Sequence, residues 1–326
     1  MKSMKSGIAL ALCLAGTTQV FAADYVMRLS HPLPPTHHIA KVVEQFATDV
    51  ENNTGGKIDV QIFGADQLFK AGQNHASVAR GQVEAGMVTN FNWGQTIPEM
   101  NAMTIPYLMG DADKVMKFSG SPAAQLLERK MQEKGVVNIA WLFTTNQTIF
   151  TSNKAPLVEI DDFKGVKIRG LSKLVDKGLE AAGAAPASMP GAEVYQALQS
   201  GVIDAAVTDI SAGYSRRYYE VQKYATVSPF FVVYYQIFVN PAWFKDLPAE
   251  LREGIESAAA KAEAGAVEAT KASAADALSQ LREKGMEVTV HTPEQAAAFA
   301  RVMQPPVVKE FLDSSTDAKQ LVEYLK

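Results

Sequence analysis

Cysteine is almost absent. The 326 residues hold one, Cys13, so there is no disulfide framework and no Cys-based metal site to build. A basic surplus is absent too. With Lys2 and Lys5 set aside from the 31 basic residues, 29 remain against 35 acidic ones, a balance that makes no provision for nucleic acid. After the first two dozen residues no run reaches the roughly 18 to 20 apolar positions of a membrane-crossing helix. HExxH, GxSxG and Cys-His arrangements are missing, and the Gly-rich ENNTGGK lacks a phosphate-binding pattern, so neither a catalytic apparatus nor a nucleotide cofactor is expected. His31, His37 and His38 share one loop and His75 stands apart. Adjacent histidines do not give the i,i+4 pair of a helical zinc site, so no metal is expected, and His37 or His38 is read as lining a cleft or capping the first helix. No low-complexity stretch or Pro/Ser linker marks a domain boundary.

What is present begins with a leader. MKSMKS, the apolar GIALALCLAGTTQV and the small-residue pattern at Val20, Phe21 and Ala22 form a secretory signal peptide over residues 1–22, which places the mature chain in the periplasm. Leu12 before Cys13 argues against a lipoprotein. About 300 residues remain, a size at which a core usually splits in two. With no linker available, two lobes must be joined by short crossovers within one body.

Periodicity supplies the parts. Residues 162–211 read as a strand ending in Arg169, a helix, an extended piece, a second helix and a third strand, with Gly170, Gly183, Pro190-Gly191 and Gly201 as breaks. That is a parallel α/β unit, whose ligand crevice lies beyond the carboxyl ends of its strands and so beside Arg169 and Thr208-Asp209. A first lobe reads similarly: a strand over 25–30, a helix over 39–52 with Val42, Val43, Phe46 and Val50 at helical spacing, and a strand over 57–63. GQVEAGMV from Gly81 returns as GVIDAAVT from Gly201, each after a helix and before a strand, which favours two lobes of similar build. A strand over 136–143 leads into TTNQTIFTSN as the first crossover, and the apolar residues 227–239 read as one strand crossing back. Residues 248–284 form an Ala-rich helical pattern of 37 positions. At 1.5 Å per residue it is about 55 Å long and should span both lobes. A strand over 286–291, a capping box from Thr292 to Gln295 and a helical tail from Pro305 complete the chain.

KGVKIRG, SMPGAEVYQALQSGVIDA and VNPAWFKDLP, in this order and spacing, resemble the solute receptors of tripartite ATP-independent periplasmic (TRAP) transporters of the C4-dicarboxylate-receptor (DctP) type. The similarity covers nearly the whole mature chain. It implies an α/β, two-lobed periplasmic binding protein, type II-like, with discontinuous lobes, crossover strands and one long helix spanning both lobes. Lobe one would take residues 23–146 and 235–274, and lobe two residues 147–234 and 275–326. The resemblance implies a receptor rather than an enzyme, without cofactor, which binds a small organic acid and delivers it to the membrane subunits of a TRAP permease. A monomer is expected, with the C-terminal tail as candidate dimer contact. A sensor feeding a membrane kinase, and a periplasmic hydrolase or lyase, are the competing functions.

The resemblance makes Arg169 the carboxylate clamp, and a guanidinium suits the task because its rigid fork of donors matches a carboxylate. Relatives often carry a second arginine in the first crossover, where Gln147 or Thr148 stands here; its loss points to a monocarboxylate such as a sugar acid, a keto or hydroxy acid, or an aromatic acid. Thr208 and Asp209 would orient the ligand or cap the next segment. From lobe one Asn90, Asn92 and Trp93 are candidates, and from the returning strand Phe230, Tyr234 and Tyr235, although alternating strand residues cannot all face one side.

Overall fold

Apolar strand runs separated by amphipathic helices build two sheets in the computed structural model, which describes residues 23–109 and 112–325. The expected signal peptide, with Cys13, lies outside the described residues. The strands are β1 (Tyr25–Ser30), β2 (Ile58–Phe63), β3 (Ala85–Thr89), β4 (Val137–Thr145), β5 (Thr148–Ser152), β6 (Lys167–Gly170), β7 (Ala185–Ser188), β8 (Ala205–Asp209), β9 (Tyr224–Ser228), β10 (Val233–Val239) and β11 (Glu287–Val290). Sheet one has the order β2-β1-β3-β10-β4 and sheet two the order β11-β9-β5-β8-β6-β7. β1, β2 and β3 run parallel and β10 antiparallel to them, while β6 pairs in parallel with both β7 and β8.

Helix His38–Asn53 turns Ile39, Val43, Phe46 and Val50 onto sheet one, where they join Met27, Leu29, Ile58 and Ile237 in one core. Each such side chain, fully withdrawn from water, contributes about 1.5–3 kcal/mol. In sheet two Phe150, Phe163, Ile168 and Phe230 pack with Phe299 and Met303 of helix Pro293–Leu312. That helix starts on the expected capping box, with the Thr292 hydroxyl accepting from Gln295 N, and continues through Pro305 and Pro306. The terminal helix Ala318–Leu325 buries Leu321, Val322 and Leu325 beside Leu127 and Met131, so its apolar side is used within its own chain.

The chain crosses between sheets at 146–147, at 229–232 and along helix Ala249–Glu283. The second crossing corrects the expectation of one continuous strand over 227–239: β9 and β10 are separate. Pro229 has no N–H to give a ladder. The linker's polar groups turn elsewhere, Phe230 O accepting from Tyr107 N (2.8 Å) and Val232 N donating to Met103 O (3.2 Å). The long helix has 35 residues, about 52 Å. Leu251, Ile255, Ala258, Ala262 and Ala266 pack with the core of sheet one, Ala277 and Leu281 with that of sheet two. Between these contacts stand two hydroxyls. Thr270 donates to Phe143 O in β4 (2.8 Å) and meets His38 Nε2 (3.0 Å), and Ser273 bonds Ser211 on the far side (2.8 Å).

Three imidazoles, His31 and His37 buried and His38 half-buried, lie near this junction. Burial brings His31 and His38 down to about 4, and it holds His37 well below the ordinary imidazole value, with His38, Arg216 and His31 adding to the effect. The unfolded chain takes up these protons below about 6.5 and the folded chain resists, so stability is complete above that pH and is lost as pH falls from about 6.5 towards about 4. At pH 5 keeping His31 and His38 neutral is expected to cost about 2 kcal/mol of stability for each of the two. Denaturant unfolding at pH 7 and pH 5 checks this. His38→Gln should reduce the difference by about 2 kcal/mol, and an unchanged slope would rule out His38 as a source.

Candidate functional site

The repeated motif builds the site from both sides. Gly81 and Gly201 each follow a helix and take left-handed φ values of 70° and 72°, which a glycine adopts without strain. The strands that follow, β3 and β8, end at Thr89 and Asp209, each of which stands at the N-terminus of a short helix, Asn90–Trp93 and Ile210–Ser215. Between these two ends lies a cavity. The side of sheet one contributes Asp66, Thr89, Phe91 and Asn92; the side of sheet two contributes Arg169, Thr208, Asp209 and Arg216; the returning crossover adds Phe231, and β10 adds Val233 and Tyr235.

Arg169 is 2% exposed. Its Nη1 donates to Val207 O at 2.8 Å and its Nε to Met189 O at 3.3 Å, which fixes the plane of the guanidinium. The remaining N–H groups have no partner among the described residues, and the side chain lines the cavity. Burial lowers its pKa, with Tyr218 and Asp209 opposing and Arg216 adding to the effect. The strand end that carries it is held by Asp176, which accepts from Leu171 N (3.2 Å) and from the Ser188 hydroxyl (2.5 Å).

A second guanidinium, Arg216, lies flat on Gly191, where a Cβ would come within 2.5 Å of Nη1. Burial works against its charge, but Tyr218, Tyr235 and Asp209 outweigh burial and raise its pKa. Asp209 has its carboxyl raised by burial, with Arg216, the Ala212 N–H and Arg169 opposing; its Oδ1 accepts from Ala212 N at 2.7 Å. Burial likewise raises Asp66, against Lys70, the Ala71 N–H and Arg216. Tyr235 is pushed up to about 12 by burial, so it is a neutral donor at any working pH. The arrangement presents two fixed cations, two carboxylates and an aromatic wall. It suits a small anion, enclosed and oriented.

The profile of the family described as bacterial extracellular solute-binding protein, family 7, matches residues 29–314. The chain belongs to that family. A curated relative, the C4-dicarboxylate-binding periplasmic protein DctP of Rhodobacter capsulatus, is 31% identical over 300 residues, covering 91% of this chain and 90% of the relative. Among solved structures, a TRAP periplasmic solute-binding protein from Sulfurospirillum deleyianum with bound succinate aligns with a TM-score of 0.86 and 26% identity, covering 93% of this chain and 99% of the other. One from Desulfovibrio salexigens with bound orotic acid gives 0.87 and 26%, covering 92% and 97%. The fold is therefore the two-lobed α/β periplasmic binding fold, and the family 7 chain is a TRAP-type solute receptor, not an enzyme. Among the described residues no helix is long and apolar enough to cross a membrane.

Of the positions singled out in this receptor's sequence, Arg169, Thr208, Asp209, Asn92 and Tyr235 line the cavity. Asp209 also caps its helix. The others lie elsewhere, each for a visible reason. Asn90 accepts from Tyr234 N (3.0 Å) and so serves the start of β10. Trp93 is fully buried against His75 and Phe238. His37 caps the first helix, Nδ1 accepting from Ile39 N at 3.2 Å. Gln147 is exposed at the tip of the β4–β5 turn, where its backbone, not its amide, bonds the Thr145 hydroxyl. Thr148 donates to Ser228 O (2.7 Å) and ties β5 to β9. Phe230 and Tyr234 are buried in separate cores, and the Tyr234 hydroxyl donates to Val115 O. The cavity instead takes the intervening residues 231, 233 and 235. Arg216 was missed because nothing in SAGYSRRYY distinguishes it from its exposed neighbour Arg217, which pairs with Glu220. The inference from a missing second arginine is corrected with it: the second cation comes from the helix after β8, not from the crossover. A Ser228–His291 contact of 3.1 Å exists, yet both residues are buried and neither lines the cavity.

Proposed function

We propose that this receptor closes around one small organic acid anion, with Arg169 clamping a carboxylate and Arg216 beside it, and passes the acid to the membrane subunits of a TRAP transporter. The observation that carries the reading is the Arg169 fork, anchored on two backbone carbonyls in a side chain that lines the cavity. The succinate and orotic acid of the two solved relatives share a carboxylate. Two carboxylates of the protein stand among its two cations, a tally that favours a monocarboxylate over a dianion. Thr208 and Asn92, whose Oδ1 accepts from the Thr89 hydroxyl (2.6 Å), would orient the rest of the ligand. Residues 1–22 would direct export to the periplasm, the receptor would act as a monomer, and the lobes would part at 146/147, within the 229–232 crossing rather than at 234/235, and at 274/275 in the long helix. Closure shifts only as far as the ligand's differential affinity for the closed state allows.

A thermal-shift screen of the mature chain, refolded to remove carried-over ligand, tests the assignment. Acids should raise Tm by mass action, by about 2.7 kcal/mol of added stability at a hundredfold excess over Kd, and uncharged sugars should leave it unmoved. Hits confined to uncharged compounds would overturn the assignment.

A further inference from the structure

Asp66, in the turn after β2, lines the same cavity, and the clamp at Arg169 does not use it. Its setting is a built one. Ala65 and Asp66 both take left-handed φ values, 52° and 62°, in a turn tied down by Ala65 N donating to Leu33 O (2.9 Å) and Asp66 N to His31 O (3.1 Å). Gly64, at the head of the turn, lies against the His31 ring, where a Cβ would come within 2.8 Å of Cε1. Non-glycine residues seldom adopt this backbone, and where they do the surrounding contacts hold them there. The Ala71 N–H faces the carboxylate, yet Asp66 Oδ1 is buried without a hydrogen-bond partner. Asp209, the other acid of the cavity, has its Oδ1 committed to the helix cap. An unpaired buried acceptor on a ligand cavity is satisfied when the ligand brings a donor.

We propose that Asp66 determines specificity by accepting a hydrogen bond from a hydroxyl or ring N–H of the bound acid, so that the receptor selects carboxylates carrying such a donor and rejects plain dicarboxylates. This rests on the organic-acid reading above and sharpens it. A site that expects a donor discriminates strongly against an analogue without one, because its own acceptor is then left bare. A second ligand carboxylate brought to Asp66 is repelled.

The test is calorimetric titration of the mature receptor with matched probes: pyroglutamate against its ring-oxygen lactone analogue, lactate against propionate, and succinate alone. Native receptor, Asp66→Asn and Arg169→Ala are compared. Asparagine is at ease at left-handed φ, so Asp66→Asn keeps the turn while removing the charge and one acceptor oxygen. The native receptor should prefer the donor-bearing member of any pair it binds. Asp66→Asn should weaken that member about tenfold and tighten succinate, opposite signs that a merely misfolded variant does not produce. Equal affinities within each pair, or Asp66→Asn moving both members alike, would overturn the proposal. If Arg169→Ala leaves every acid bound, the clamp fails while the pairs still report on Asp66. If no probe binds the native receptor, both readings fall together.

Discussion

Arg169→Ala is expected to weaken binding of the cognate acid by about 3 kcal/mol, on the order of 100-fold. The loss has two sources. The ligand carboxylate forfeits a bidentate, charge-assisted contact in a desolvated site, and Val207 O and Met189 O lose the donor that now satisfies them. Part of the damage therefore falls on the ligand-free protein, and the quantity to read is the ligand-dependent stabilisation at matched protein stability. Arg169→Lys separates charge from geometry. Lysine keeps the positive charge but cannot hold two backbone carbonyls and still present a planar fork, so it should recover only a minor share. Calorimetric affinities within threefold of the native value for Arg169→Ala would show that the carboxylate sits elsewhere.

Adjacent tyrosines in β10 should behave as opposites. Tyr234 is 1% exposed, packed against Phe118, Trp141 and Phe143, with its hydroxyl on Val115 O. Tyr234→Ala should cost about 3–5 kcal/mol of stability, the usual range for removing a buried aromatic, and leave affinity within a few fold. Tyr235 faces the cavity and meets His37 edge-on at 6.2 Å. Tyr235→Ala should lower affinity about tenfold, as loss of an enclosing aromatic surface does, with the smaller stability penalty. Urea unfolding and titration of both variants decide the matter. Parallel losses in the two assays for both tyrosines would mean that the strand does not divide core from site as described.

The same strand shows where a sequence stops being legible. Alternation in β10 fixes that one parity faces the site, but which parity depends on the break at 229–232, and that break is set by contacts with 103–107, more than a hundred positions away. The phase was out of reach for that reason. Arg169 was readable because a charged residue ending a buried strand of a parallel α/β unit has a defined address. The repeat at Gly81 and Gly201 located both halves of the cavity, yet helix Asn90–Trp93 sends successive residues about 100° apart, so Phe91 and Asn92 reach the site while Asn90 and Trp93 turn to the backbone of β10 and to the core. Gln147 sits where relatives often carry a functional side chain, but a tight turn closed by Thr145 points it to solvent. Asp66 and Arg216 have no local signature at all: each is placed by tertiary structure alone.

Thr270 and Ser273 are separated by a single helical turn, one hydroxyl held by β4 and the other by the helix after β8. The backbone between them is a short shaft with its two ends gripped by different bodies. Any motion that parts the bodies loads that shaft: a hydroxyl must release, or roughly 5 Å of helix must bend or twist. Parting the two sheets would therefore draw on these two side-chain hydrogen bonds, and on the contact of His38 with one of them.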